Sequence, residues 1–200
     1  MAAALADGLE AYWMIDTTLI PAIVRVRACR KSLFAGQAAF GRSVPKTEWV
    51  YGFKVGLAVS PTGVVTTFGL SSANCDERRI GEFQVSSDGH DAYIVDKGSS
   101  SVAWERRWLE YYGARVAAAP QESAKRAWPR IVRRWAASKR QLIEGVIWQL
   151  KDLFGLERHR AKTLNGLLTR LATKVTAYTC GQLLNARLGR PLRHFASLLI

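Results

Sequence analysis

Three acidic residues occupy positions where a carboxylate needs a chemical reason. Asp16 falls inside the apolar, β-branched run Tyr12-Trp-Met-Ile-Asp-Thr-Thr-Leu-Ile-Pro21, Asp96 directly follows Ala92-Tyr-Ile-Val95, and Glu144 lies in Arg140-Gln-Leu-Ile-Glu-Gly-Val-Ile-Trp-Gln-Leu-Lys151. Asp is disfavoured inside strands, and hydrogen bonding to Thr17 or Thr18 is a weak motive for placing one there. At about 100° per residue, Arg140, Glu144, Trp148 and Lys151 share one helical stripe, while Leu142, Ile143, Val146, Ile147, Leu150, Leu153 and Phe154 share the opposite face. Taken alone, Arg140 and Glu144 are an i,i+4 ion pair worth about a few tenths of a kcal/mol, with Trp148 packed beside them. Two further carboxylates at apparent strand ends argue instead for a site.

Converging carboxylates offer hard oxygen ligands for Mg²⁺ or Mn²⁺. Two such ions a few ångströms apart activate a water and stabilise the leaving oxygen in phosphodiester cleavage. Without a cation, three close carboxylates repel one another and hold their protons; bound metal removes that conflict. Arg140 and Lys151, on the stripe of Glu144, suit the neutralisation of a phosphate. Asp76 and Glu77 read as acids in the first turn of a helix, where they suit the dipole, and Asp76 as a helix-start residue rather than a ligand. His90, His159 and His194 are scattered without a nucleophile motif, which leaves Ser/His or Cys/His catalysis poorly supported.

The elements that must position these groups alternate in type. A strand over 12–21 is followed by a basic connection over 22–47, long for a structureless loop and therefore expected to be functional or partly disordered. A period-two strand runs from Trp49 to Val59, turns at Pro61-Thr-Gly63, and returns from Val64 to Leu70. A short helix follows over 72–83, then a loop over 86–89, the strand Ala92–Val95, and a helix over 102–112 with Trp104, Trp108, Leu109 and Tyr112 facing inward. A last strand spans 114–118, a connector 121–138 leads to the Glu144 helix, Gly155 ends that helix, and Lys162 to Leu188 forms a closing helical region. In such a mixed α/β sheet the strands of Asp16 and Asp96 can lie side by side, with the Glu144 helix across their ends. The expected organisation is a lead over 1–11, one domain over 12–188, and a basic and apolar C-terminal tail over 189–200.

Composition points to the partner. The 200 residues carry a formal net charge of +13 with 48% hydrophobic content, enough for one core and suited to a polyanion. No Asp or Glu lies between Thr17 and Thr47, a stretch containing Arg25, Arg27, Arg30 and Lys31, and none follows Arg158, a stretch opened by Arg158 and Arg160. Such one-signed segments suit a phosphate backbone. Cys29, Cys75 and Cys180 are odd in number and widely spaced, as expected of reduced thiols rather than a disulfide framework or zinc site. Arg170 and Lys174 interrupt the longest apolar helix, so no membrane partner is expected.

The motifs Ile15-Asp-Thr-Thr-Leu-Ile-Pro21, Tyr51-Gly-Phe-Lys54, Ile94-Val-Asp-Lys-Gly98 and Ile143-Glu144, followed by Lys151 and Arg158-His-Arg160, resemble the catalytic domain of bacterial insertion-sequence DDE transposases. The resemblance runs from Trp13 to about Asn185, and the Arg140, Glu144, Lys151 spacing is its most specific part. It implies an RNase H-like mixed five-stranded sheet flanked by helices. It also implies two Mg²⁺ or Mn²⁺ ions on Asp16, Asp96 and Glu144, cleavage at transposon ends, and transfer of the freed 3′-hydroxyl into target DNA. DNA contacts are then expected from Arg25, Arg27, Arg30, Lys31, Arg140, Trp148, Lys151, Arg158 and Arg160, in a homodimer on DNA in the cytoplasm, at the nucleoid. Three departures stand out: few residues precede the first strand where members carry an end-recognition domain, Ala137 replaces a tyrosine, and serines from Ser99 replace an aromatic. The alternatives are an RNase H-like nuclease without strand transfer and a catalytically inactive DNA-binding remnant.

Overall fold

The computed structural model describes residues 12–23, 33–43, 48–96, 101–118 and 128–198. Its elements are β1 (Trp13–Pro21), β2 (Ala39–Ser43), β3 (Glu48–Val59), β4 (Val65–Ser72), α1 (Glu77–Asp88), β5 (Ala92–Val95), α2 (Val102–Tyr112), β6 (Arg115–Ala118), α3 (Arg130–Asp152) and α4 (Leu164–Arg187), with a 3-10 turn at Phe195–Leu198. The sheet runs β2-β3-β1-β5-β6, and β4 also pairs with β3. β1 is antiparallel to β3 and parallel to β5, and β5 is parallel to β6. This mixed sheet with helices on both faces is consistent with an RNase H-like fold.

The sheet has six strands where five were expected. β2 lies within the connection over 22–47: Ala39 to Ser43 pair with Gly52 to Glu48, covering the first part of β3, while β4 covers the remainder. At Gly41 an added Cβ would sit 2.4 Å from the Ala73 carbonyl oxygen, so the strand fits only because this position has no side chain.

Alternation along β1 divides the two faces. Met14 and Ile20 join Phe53, Val55, Leu57, Ile143, Val146, Leu150, Leu167, Leu171 and Tyr178 in one core under α3 and α4. Trp13 and Ile15 join Ala58, Val85, Tyr93, Val95 and Trp108 in the other, under α1 and α2. Each fully buried aliphatic side chain of α3 contributes roughly 1.5–3 kcal/mol, so Ile143, Val146 and Leu150 set the helix's rotation about its axis. α4 packs in the first core, and so does Phe195, in the segment expected above to be a tail. Asn185 Nδ2 donates to the carbonyls of Leu192 and His194, and Gln149 Nε2 to that of Arg193, which folds the chain's last described turn back onto α3 and α4.

Several local expectations need correction. α1 continues through Ser86 and Ser87 to Asp88, closed by Gly89, where a loop was expected. Asp88 accepts from the hydroxyls of Thr66 and Thr67 at 3.1 and 2.8 Å, which ties that extra turn to β4. α2 keeps its expected bounds, but Trp108 alone of its side chains is fully buried; Leu109 and Tyr112 are exposed because α2 packs along one narrow edge of the sheet. α3 begins at Arg130, inside the expected connector, immediately after Pro129. Its early turns lean on the residue before β1, since Trp135 meets Tyr12 edge to face at a ring separation of 5.2 Å. Leu153, expected on the apolar face, is exposed past the helix end. Among the described residues, no helix is long and apolar enough to cross a membrane.

Candidate functional site

β5 pairs with β1 only at Trp13 and Met14. From Ile15 onward, among the described residues, β1 has no ladder partner on that side, and the opening lies at the carboxyl end of β5, alongside the part of β1 that continues past it. That is where open α/β sheets place their ligands. Asp16 and Asp96 line a shallow cleft here with Arg140, and Met14, Ile94 and Ile143 form its apolar floor.

The Asp16 carboxyl is pushed up to about 7 from 3.8. Burial is the largest cause; the neighbouring charges of Asp96 and Glu77 push the same way, while the Thr17 amide and the Arg140 guanidinium oppose them. Thr17 N donates to Asp16 Oδ1 at 2.7 Å. Arg140 Nη1 lies 2.8 Å from Asp96 Oδ1, and its Nη2 lies 3.4 Å from Glu144 Oε1. One guanidinium therefore links two of the three carboxylates and acts electrostatically on the third. Glu144 itself is 54% exposed at its side chain and stands outside the cleft lining.

The donor set suits a hard divalent cation: oxygen ligands only, one of them held in proton-binding condition by burial and like charge. Among the described residues no three acidic, His or Cys groups already stand together as a metal cage. Arg140 brings a positive charge to Asp96 and Glu144.

The remaining stripe of α3 is exposed. Trp148 is 59% exposed, too open for a residue whose purpose is packing against a neighbouring helix. Lys151 pairs with Glu157 at 2.7 Å across the helix end. The stripe also extends backward, because Arg133 and Arg130 fall within about 40° of Glu144 at helical periodicity. Both are exposed.

Arg158 and Arg160 point outward on either side of His159, which is buried. His159 Nδ1 accepts from Ala161 N and its Nε2 lies 3.0 Å from the Pro21 carbonyl, a pattern that places the proton on Nε2. Arg170 donates to the His159 carbonyl and Lys174 to that of Gly155. Two cations are thus committed to holding the loop that displays two others. Arg25, Arg27, Arg30 and Lys31 lie outside the described residues.

Two groups near the site carried no role in the sequence. Glu77, read as a helix-start residue beside Asp76, accepts from Thr17 Oγ1 at 3.2 Å and stands 3.6 Å from Lys54 Nζ. The Tyr51-Gly-Phe-Lys54 motif was the available signal, since a lysine whose side chain is only 13% exposed in a strand requires a partner.

A family model described as transposase DDE domain matches residues 7–164. No curated protein matches the chain. The match covers every described strand and ends at the first residue of α4.

Proposed function

The chain belongs to the transposase DDE domain family, and from that premise we propose that it cleaves DNA at transposon ends and joins the freed ends to target DNA. The observation that carries this reading is Arg140 joining Asp96 to Glu144 beside an Asp16 carboxyl that retains its proton to about pH 7. Asp16, Asp96 and Glu144 would hold two divalent ions, Mg²⁺ or Mn²⁺. When bound, these supply activation of the attacking oxygen and stabilisation of the leaving one.

The chain's own residues account for the rest. Met14, Ile94 and Ile143 line the cleft beside the two aspartates, Asp16 within β1 and Asp96 directly after β5. Asp16 must release its proton before it ligates, which couples activity to pH near neutrality. Arg140, rigid and bidentate, is placed to meet the non-bridging oxygens of the phosphate under attack. In the first step water attacks phosphorus and the P–O3′ bond breaks, leaving a 3′-hydroxyl. In the second that hydroxyl attacks a target phosphodiester, one P–O bond replacing another, so no nucleotide energy source is consumed. Arg130 and Arg133, before Glu144 on the helix, and Trp148, Lys151, Arg158 and Arg160, after it, would hold the flanking duplex, with a homodimer holding two ends.

The test is cleavage and joining of a DNA carrying transposon ends by Asp16→Asn, Asp96→Asn and Glu144→Gln. Each is expected to lose Mg²⁺-dependent cleavage while retaining DNA affinity. A variant cutting at the parental rate would remove that residue from the ligand set. Cleavage without joining of precut ends would make the chain a nuclease, and DNA binding with no cleavage by the parent chain would make it an inactive binder.

A further inference from the structure

Lys54 belongs to a motif that the proposed reaction leaves unused, and it lies on the opposite face of the sheet from the cleft. In the β1–β3 register, Thr17 opposes Gly56 and Leu19 opposes Lys54, so Thr17 and Lys54 share the face under α1, whereas Asp16 opposes Leu57 on the α3 face. α1 comes unusually close to that face. A Cβ on Gly56 would sit 2.2 Å from Ile80 Cγ2 and 2.9 Å from Gln84 Nε2, so the absence of a side chain at position 56 lets the helix settle onto the strands. Its first turn is fixed by Asp76, whose carboxylate accepts from Arg78 N. The consequence is that Glu77, the first residue of α1, reaches Thr17.

The bonds then form a continuous chain. Lys54 Nζ donates to the Cys75 carbonyl at 2.9 Å and stands 3.6 Å from Glu77 Oε1; that oxygen accepts from Thr17 Oγ1 at 3.2 Å; and Thr17 N donates to Asp16 Oδ1 at 2.7 Å. Every link but the last lies on the α1 face. The last crosses the strand, at a point where β5 has ended and β1 has no ladder partner on that side among the described residues. Among the described residues, the ladder hydrogen bonds of this stretch come from β3 alone, and the Thr17 anchor adds a restraint beyond them.

We propose that Glu77, held by Lys54, is a positioning residue for Asp16: by fixing Thr17 through its hydroxyl, it keeps the Thr17 amide on Asp16 Oδ1 and so orients the carboxylate for the divalent cation. This rests on the function proposed above. Outer-shell partners of ligating carboxylates commonly change metal affinity by about 10–100-fold when removed. Glu77 and Lys54 belong to that class without touching the reacting phosphate.

The experiment uses the full chain with Thr17→Val, Glu77→Ala and Glu77→Gln, and Asp16→Asn as the reference for loss of a ligand. Three quantities are read: hydrogen exchange of the Thr17 amide in metal-free protein, Mn²⁺ affinity without DNA, and cleavage rate against DNA affinity. Glu77→Ala and Thr17→Val are expected to speed exchange of the amide at position 17, to weaken Mn²⁺ binding by about 10-fold or more, and to lower cleavage to match, with DNA affinity and melting temperature near the parent. Glu77→Gln, which retains an acceptor for the Thr17 hydroxyl, is expected to recover most of the loss. Unchanged Thr17 exchange or unchanged Mn²⁺ affinity in Glu77→Ala would overturn the positioning role, and so would losses that track melting temperature. Should the parent chain bind Mn²⁺ no better than Asp16→Asn, the metal reading itself fails and this inference falls with it, a result separable from the others because it is obtained before Thr17, Glu77 or Lys54 is altered.

Discussion

His159 lies with Nε2 3.0 Å from the carbonyl oxygen of Pro21, so the loop that follows the Glu144 helix is fastened to the last residue of the strand that carries Asp16. Burial holds the imidazole below its ordinary pKa of 6.5. The unfolded chain takes up a proton at that ordinary value and the folded chain resists it. The stability this residue contributes is therefore intact above about pH 6.5 and is lost as the pH falls below it. His159→Ala is expected to cost on the order of 1–3 kcal/mol at pH 7.5 and less at pH 5.5, measured by denaturant unfolding. DNA affinity should fall as well, because Arg158 and Arg160 lose their anchor.

Asp16 has the opposite sign. Its folded pKa of about 7 stands above the ordinary 3.8, so metal-free folded protein binds a proton that the unfolded chain releases. That stability is present below about pH 4 and is lost as the pH rises through 7. Asp16→Asn is expected to raise the melting temperature of metal-free protein at pH 8 and to leave it nearly unchanged at pH 4. A melting temperature at pH 8 below that of the parent would show that the buried charge is already compensated.

Arg140→Ala removes the cation shared by Asp96 and Glu144. Because the pair is partly exposed, the stability change is expected to stay within about 1 kcal/mol, whereas cleavage should fall roughly 10²–10³-fold. Arg140→Lys should recover little, since an ammonium cannot span two carboxylates as a guanidinium does. Parallel loss of folded protein and of rate would return Arg140 to a structural role.

Along the outer stripe, Trp148→Ala should weaken DNA binding by about 1–3 kcal/mol if the ring stacks on an unpaired base, with no drop in melting temperature. Arg130→Ala with Arg133→Ala should lower the salt dependence of affinity by nearly two units of slope, about 0.9 for each phosphate that is no longer neutralised. An unchanged slope would identify both as ordinary surface charge.

Much of this was legible in the chain because local pattern and tertiary structure agree. The β3–β4 hairpin follows from strict alternation and a Pro-Thr-Gly turn, and the apolar face of α3 from its periodicity. The order of elements allowed β1 and β5 to lie side by side, and the structure pairs them. β2 was not legible: Ala39-Phe-Gly-Arg-Ser43 has neither β-branched content nor alternation, and it becomes a strand because β3 offers it an edge. The inward assignment of Leu109 and Tyr112 failed for a related reason, since periodicity gives the spacing of a face but not how much of it the sheet reaches. Glu77 was hidden by a local explanation that was itself correct. An acid in the first turn of a helix satisfies the dipole, and nothing in the sequence announces that the same turn abuts Thr17.

The parallel pairing of β1 with β5 also has a consequence in time. The β3–β4 hairpin closes a short turn and can form as soon as it leaves the ribosome, but β1 must wait for β5, with most of the chain's first half intervening, before Asp16 meets Asp96. Glu144 arrives later still, on the helix whose Ile143 completes the floor beneath both aspartates. An incompletely synthesised chain would thus expose the basic segments proposed to bind DNA well before it owns the proposed cutting centre. In the proposed transposase, binding would precede the capacity for damage, and the order of synthesis alone would keep unfinished copies from breaking the chromosome that encodes them.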